Sequence, residues 1–153
     1  MPEGKLLATF RILSERGVRF IVAGGVAAVL NGAPVQTFDV DLVYGREPEN
    51  IVRLLDVLRE IEAIFRLQPE RRLRPNESHL AGGGHLNLLT SFGHNRGYED
   101  LLSHTVEMAI EDGLRIRVLD VETIIVLKEQ LASDKDLAVL PILRQTLRSR
   151  LAD

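Results

Sequence analysis

Gly24-Gly25-Val26-Ala27-Ala28-Val29-Leu30-Asn31-Gly32-Ala33-Pro34-Val35-Gln36-Thr37-Phe38-Asp39-Val40-Asp41-Leu42 is the most informative stretch of the chain, and its two ends carry the chemistry. From Phe38 to Tyr44, Phe38, Val40 and Leu42 alternate with Asp39, Asp41 and Val43. A period of two is strand periodicity, and side chains two apart point to the same face. Asp39 and Asp41 are therefore expected side by side on one strand. Like charges so close repel, and burying them unpaired is costly. A divalent cation relieves both problems, and magnesium takes one or two carboxylates together with phosphate oxygens and water. The plainer alternative is an edge strand whose acids face solvent. At the other end, Val18 to Ala23 reads as a strand that Gly24-Gly25 breaks, with a short helix from Val26 to Leu30. Glycine lets the backbone approach a ligand closely, and amides at a helix start favour anions, which suits a triphosphate. An ordinary strand-to-helix turn would use the same residues.

Upstream, Leu6, Phe10 and Leu13 recur at helical spacing before Gly17, predicting a helix over 3–16. Asn31-Gly32-Ala33-Pro34 is a turn cluster. Beyond the strand, Pro48 suits a first helical turn. Ile51, Leu54, Leu55, Leu58, Ile61 and Phe65 then line one predicted helical face. Residues 66–84 read as an Arg- and Pro-rich loop, and His85 to Thr90 as a strand. Thr105–Ile110 and Leu114–Leu119 flank Glu111-Asp112-Gly113, a hairpin signal. Asp120 caps a helix through Leu131, and Ser133 caps another, in which Pro141 is expected to kink the helix or start a new one. Helix, strand, helix, strand, helix, strand, hairpin and two helices make an α/β (α+β) chain with a mixed sheet.

With 153 residues, 45% hydrophobic and 27% charged, a single domain spanning 1–153 is expected. A net charge of −3 argues against bulk electrostatic binding of nucleic acid. The absence of cysteine excludes disulfides and Cys-ligated zinc. No apolar run approaches the ~20 residues of a membrane span, and the first residues carry no apolar signal core. The cytosol is the default expectation.

Gly24-Gly25-Val26-Ala27, then Gly32-Ala33-Pro34, then Thr37-Phe38-Asp39-Val40-Asp41-Leu42 resembles the signature of the nucleotidyltransferase-fold superfamily. The likeness is greatest to the bacterial branch with aminoglycoside nucleotidyltransferases and the nucleotidyltransferase partners of toxin–antitoxin and phage-abortive systems. Asp120 to Lys128, followed by Lys135-Asp136-Leu137, is similar to a helix pair common in that branch. The resemblance implies a mixed sheet flanked by helices, with two helices at the C-terminal end. It also implies magnesium (or manganese) and a nucleoside triphosphate donor in a cleft. Asp39 and Asp41 would ligate the metal, and Gly24 and Gly25 would bind phosphates. Two positions depart from the pattern. A third carboxylate is expected from a neighbouring strand, and Asn87 stands there. An Arg is often found two residues before the Thr, and that position is Val35. An amide can coordinate through its oxygen but carries no charge and is no general base at neutral pH. Glu107 on the next predicted strand is the candidate replacement acid, or simply a solvent-facing residue.

Lys128 lies among Ile124, Ile125, Leu127 and Leu131. By resemblance it would reach the cleft and meet phosphate; otherwise its stem lies along the helix with its head in water. Asp136 is expected to form a capping-box pair with Ser133, and by resemblance would also partner Lys128 or the bound donor. Thr37 would orient Asp39, touch a phosphate, or only start the strand. Arg66, Arg71, Arg72 and Arg74 offer bidentate phosphate contacts or a solvated loop. His79 and His85 make a conceivable metal pair that lacks a third ligand, and the turn at Gly93-His94-Asn95-Arg96-Gly97 borders the cleft or is plain surface. The expected activity is nucleotidyl transfer to a hydroxyl of a protein, RNA or small molecule. The alternative is a degenerate relative acting as an antitoxin-like binding partner of a second protein.

Overall fold

The computed structural model describes residues 3–37, 39–65, 78–80, 84–93 and 95–152. Helix α1 (Glu3–Glu15) leads into β1 (Phe20–Ala23), which turns directly into α2 (Gly24–Leu30). Strand β2 (Val40–Tyr44) and the long α3 (Pro48–Phe65) follow. Next come β3 (Ser78–Leu80) and β4 (Gly84–Leu89), then a two-stranded ribbon of β5 (Ser91–Phe92) and β6 (Arg96–Gly97). A short α4 (Tyr98–Leu101) and a 3-10 turn lead into the hairpin β7 (Thr105–Glu111) and β8 (Leu114–Leu119). Helices α5 (Val121–Leu131) and α6 (Asp134–Leu151) complete the order.

The main sheet has six strands in the order β3-β4-β2-β1-β8-β7. It is mixed: β1 runs antiparallel to β2 and parallel to β8, while β2 runs parallel to β4. Strand β1 is central, and all four of its residues are buried. A fully apolar strand such as Phe-Ile-Val-Ala fits a site covered on both faces. Phe10 of α1 stacks on Phe20 at 6.1 Å between ring centroids. Leu54, Val57, Leu58 and Ile61 of α3 are buried. Val57 replaces Leu55 on the predicted face, because Leu55 is 41% exposed. The buried set keeps the spacing of i, i+3, i+4 and i+7.

The caps fall where the sequence puts them. Asp120 accepts a hydrogen bond from the Thr123 amide at 2.8 Å. Ser133 and Asp136 form the reciprocal capping box at the start of α6. Pro141 starts no new helix: α6 runs through it to Leu151. Buried Leu140 and Leu143 on either side hold it against the core. Asn31 does more than turn the chain. Its amide donates to the Ala27 and Leu119 carbonyls at 2.8 and 3.0 Å, and its side-chain oxygen accepts from Arg150. The end of α6 is thereby tied to the end of α2. A mixed sheet flanked by helices, with two C-terminal helices, is the architecture that the resemblance implied. Among the described residues, no helix is long and apolar enough to cross a membrane.

Candidate active site

Sheet register builds the site. Asp41 on β2 is the partner of Ala23 on β1 and of Asn87 on β4, so the three stand in one row across neighbouring strands. Asn87 thus occupies the position expected of a third acid. Its Nδ2 donates to Asp41 Oδ1 at 2.9 Å. Immediately after Ala23, the chain enters α2 through Gly24, whose φ is +64°. A Cβ built on Gly24 would stand 2.2 Å from Asp41 Oδ2. That is far inside van der Waals contact, so the Asp41 carboxyl can occupy its place only because residue 24 lacks a side chain. Gly25 plays the same part for Thr37, whose Oγ1 would lie 2.6 Å from an added Cβ. Thr37 in turn donates its hydroxyl hydrogen to the Asp39 carbonyl at 3.1 Å. The diglycine therefore makes room for both flanks of the acidic segment.

The two acids differ in setting. Asp41 is half-buried, whereas Asp39 is exposed. Strand β2 begins at Val40, so Asp39 stands just ahead of it rather than on it, contrary to the expectation of one shared strand. The cause is at Gly24. There β1 becomes helix, so the antiparallel pairing ends at Ala23 and Asp41, and Val40 is held by β4 alone. Both acids nonetheless line one cleft of about 560 Å³, together with Gly24, Gly25, Gln36, Thr37, Lys128 and Lys135. Its apolar side includes Val35, Phe92, Ile124, Leu131, Val139 and Leu143. A concave site of this size with a few convergent polar groups suits a small-molecule ligand. Burial pushes the Asp41 carboxyl above the ordinary Asp range. The Asn87 hydrogen bond opposes that shift, the Asp39 charge adds to it, and Lys128 and Lys135 oppose it more weakly.

Lys128 reaches the cleft wall, but not as a free charge. Its Nζ lies 2.8 Å from Asp136 Oδ1, with both side chains mostly covered. Asp136 also accepts from the Ser133 hydroxyl at 2.5 Å. The Lys128 and Ser133 hydrogen bonds hold the Asp136 carboxyl below the ordinary range. A depressed carboxylate stabilises the fold above its unfolded pKa, and that contribution is lost as pH falls through the folded value. Asp136→Asn is therefore expected to cost about 1 kcal/mol at neutral pH, with the difference closing in acid. Urea denaturation of both proteins across pH 2–7 checks it; a constant difference would contradict the charge-based cause.

Glu107 is not the replacement acid. It lies on β7, with β1 and β8 between it and β2. It is opposite Arg117 in register and 3.9 Å from Arg115. His79 and His85 are register partners on β3 and β4, but their side chains lie outside the described set. Arg66, Arg71, Arg72, Arg74 and His94 lie outside the described residues. Among the described residues, no group of three or more His, Asp or Glu is arranged for a metal. Phe92 and Lys135 went unweighed in the sequence. Phe92 reaches the cleft through the β5–β6 ribbon, whose only signal was the Gly93–Gly97 turn. Lys135 stood in the sequence only within the Lys135-Asp136-Leu137 stretch of the resemblance, with no role of its own. Val35, the other departure from the superfamily pattern, lies on the cleft wall itself.

No family model and no curated protein matches the chain. Among solved structures, it is similar in fold to a Thermotoga maritima protein described as a "putative nucleotidyltransferase". The two share 20% identity, the match covers 96% of this chain and 90% of that one, and the TM-score is 0.48. The likeness is one of fold and gives no residue a role.

Proposed function

We propose that the chain is a metal-dependent nucleotidyltransferase, moving a nucleoside monophosphate from a nucleoside triphosphate to a hydroxyl acceptor. One observation carries this reading: a half-buried Asp41 carboxyl, pushed up by burial and lacking a basic ion-pair partner among the described residues, shares a cleft with Asp39 beside the diglycine. Such an arrangement is costly for the protein alone and is relieved by a cation. Two carboxylates with phosphate and water to complete the shell fit magnesium or manganese. Asp39 and Asp41 would hold that ion, which supplies charge neutralisation at the transferring phosphoryl group. Gly24, Gly25 and Thr37 would border the triphosphate. Lys128, oriented by Asp136, would stand in the same cleft. The Asn87 amide keeps Asp41 oriented without adding charge or acting as a base. Positioning and charge stabilisation would do most of the chemistry.

Asn87 and Val35 also favour a second reading, a nucleotide-binding or partner-binding module without transfer. Incubation with magnesium, each labelled nucleoside triphosphate, and protein, RNA and small-molecule acceptors separates the two. Transfer by wild type that is lost in Asp39→Ala and in Asp41→Ala supports the enzyme. Nucleotide binding without transfer to any acceptor supports the module.

A further inference from the structure

We infer that Lys135, not Lys128, supplies the open positive charge that receives the polyphosphate in this cleft. The inference rests on the nucleotide-binding reading of the site and names the residue that binds the donor's phosphates. Lys128 and Lys135 both line the cleft. Lys128 is already matched by Asp136 at 2.8 Å. Lys135 is exposed and has no ion-pair or hydrogen-bond partner among the described residues. Lys135 and Asp41 line the same cleft. Cleft charge thus sums to two carboxylates, a self-neutralised pair and one uncommitted cation. A metal ion would meet the carboxylates, which leaves Lys135 for the anionic chain of the ligand.

Helix electrostatics point the same way. Ser133 caps α6 and Asp134 is its first residue, so Lys135 sits in the first turn. A cation there opposes the helix dipole, and acids are the favoured residues. Asp134 and Asp136 follow that rule, and Lys135 breaks it. A residue that disfavours its own helix end while facing a cleft is best explained by what it binds.

Calorimetric titration with magnesium tripolyphosphate, which carries no base or sugar, tests the assignment. The proteins are wild type, Lys135→Gln, Lys135→Arg and Asp41→Asn, at low and moderate salt. Affinity is expected to fall on the order of tenfold in Lys135→Gln, with a flatter salt dependence and recovery in Lys135→Arg. The urea midpoint of Lys135→Gln should match or exceed that of wild type, as no contact is lost and the helix end improves. Unchanged affinity in Lys135→Gln, with binding still lost in Asp41→Asn, would overturn the assignment and leave the site reading intact. If wild type binds neither tripolyphosphate nor any of the four nucleoside triphosphates with magnesium, the site reading fails and the assignment with it.

Discussion

Asp41→Asn is expected to lower nucleotidyl transfer by at least about 100-fold while leaving the metal-free protein as stable as wild type, or more so, at neutral pH. The two halves of this result have one cause. Asp41 is held against Gly24 and under Asn87, where burial disfavours its charged form. Its folded pKa is therefore raised above its unfolded value. The folded chain binds more protons than the unfolded chain between those two values, so stability falls as pH rises through that window. The cost is absent below the unfolded pKa and fully present above the folded one. Asparagine keeps the shape and the acceptor for the Asn87 amide, but removes the charge. The variant should thus lack that pH-dependent loss. Urea denaturation in chelator-treated buffer from pH 3 to 8 reads the stability half, and labelled transfer reads the other. An active variant would show that the carboxyl is not a metal ligand, and one clearly less stable than wild type at pH 7 would show that it is not strained by burial.

Gly24→Ala is expected to remove metal-dependent nucleotide binding and to cost about 1–2 kcal/mol of stability. Its φ of +64° lies in the left-handed region, which side chains other than glycine avoid. The added methyl would also stand 2.2 Å from Asp41 Oδ2, forcing the carboxyl out of its seat. Gly113 separates the two effects. It has a φ of +74° in the β7–β8 turn, and an added Cβ there meets nothing within 4 Å. Gly113→Ala should lose comparable stability and keep nucleotide binding. Equal binding by both variants, at matched stability, would deny that Gly24 is there to admit the Asp41 carboxyl. Thermal or urea unfolding and titration with magnesium nucleotides give the two readouts.

Local chemistry made much of this site legible in sequence. The spacing of two put Asp39 and Asp41 on one side of the chain, where both line the cleft, and the hairpin signal at Asp112-Gly113 set the β7–β8 turn. Side-chain caps at Asp120 and Ser133 marked the starts of α5 and α6. Each of these depends on residues a few positions apart. What escaped depends on distant partners. Asp39 left the strand because β1, fifteen residues upstream, becomes helix at Gly24. Glu107 was a candidate only until strand order put β1 and β8 between it and Asp41. The Lys128–Asp136 bond, which spans the α5–α6 corner, decides which lysine is free. Spacing along the chain gave no measure of that. Leu55 and Val57 exchanged roles because each, lying at opposite edges of one apolar face, fits a helical pattern with Leu54, Leu58 and Ile61, and only packing chooses between them.

The central claim is that a divalent ion and a triphosphate meet at Asp39 and Asp41 beside the paired glycines. The most direct measurement is the amide spectrum of isotopically labelled protein saturated with magnesium and a non-hydrolysable nucleoside triphosphate, into which traces of manganese are titrated. Paramagnetic broadening is expected first at Gly24, Gly25, Asp39, Asp41 and Asn87, and is expected to vanish in Asp41→Asn. Broadening centred elsewhere, or unchanged by that substitution, would contradict the account.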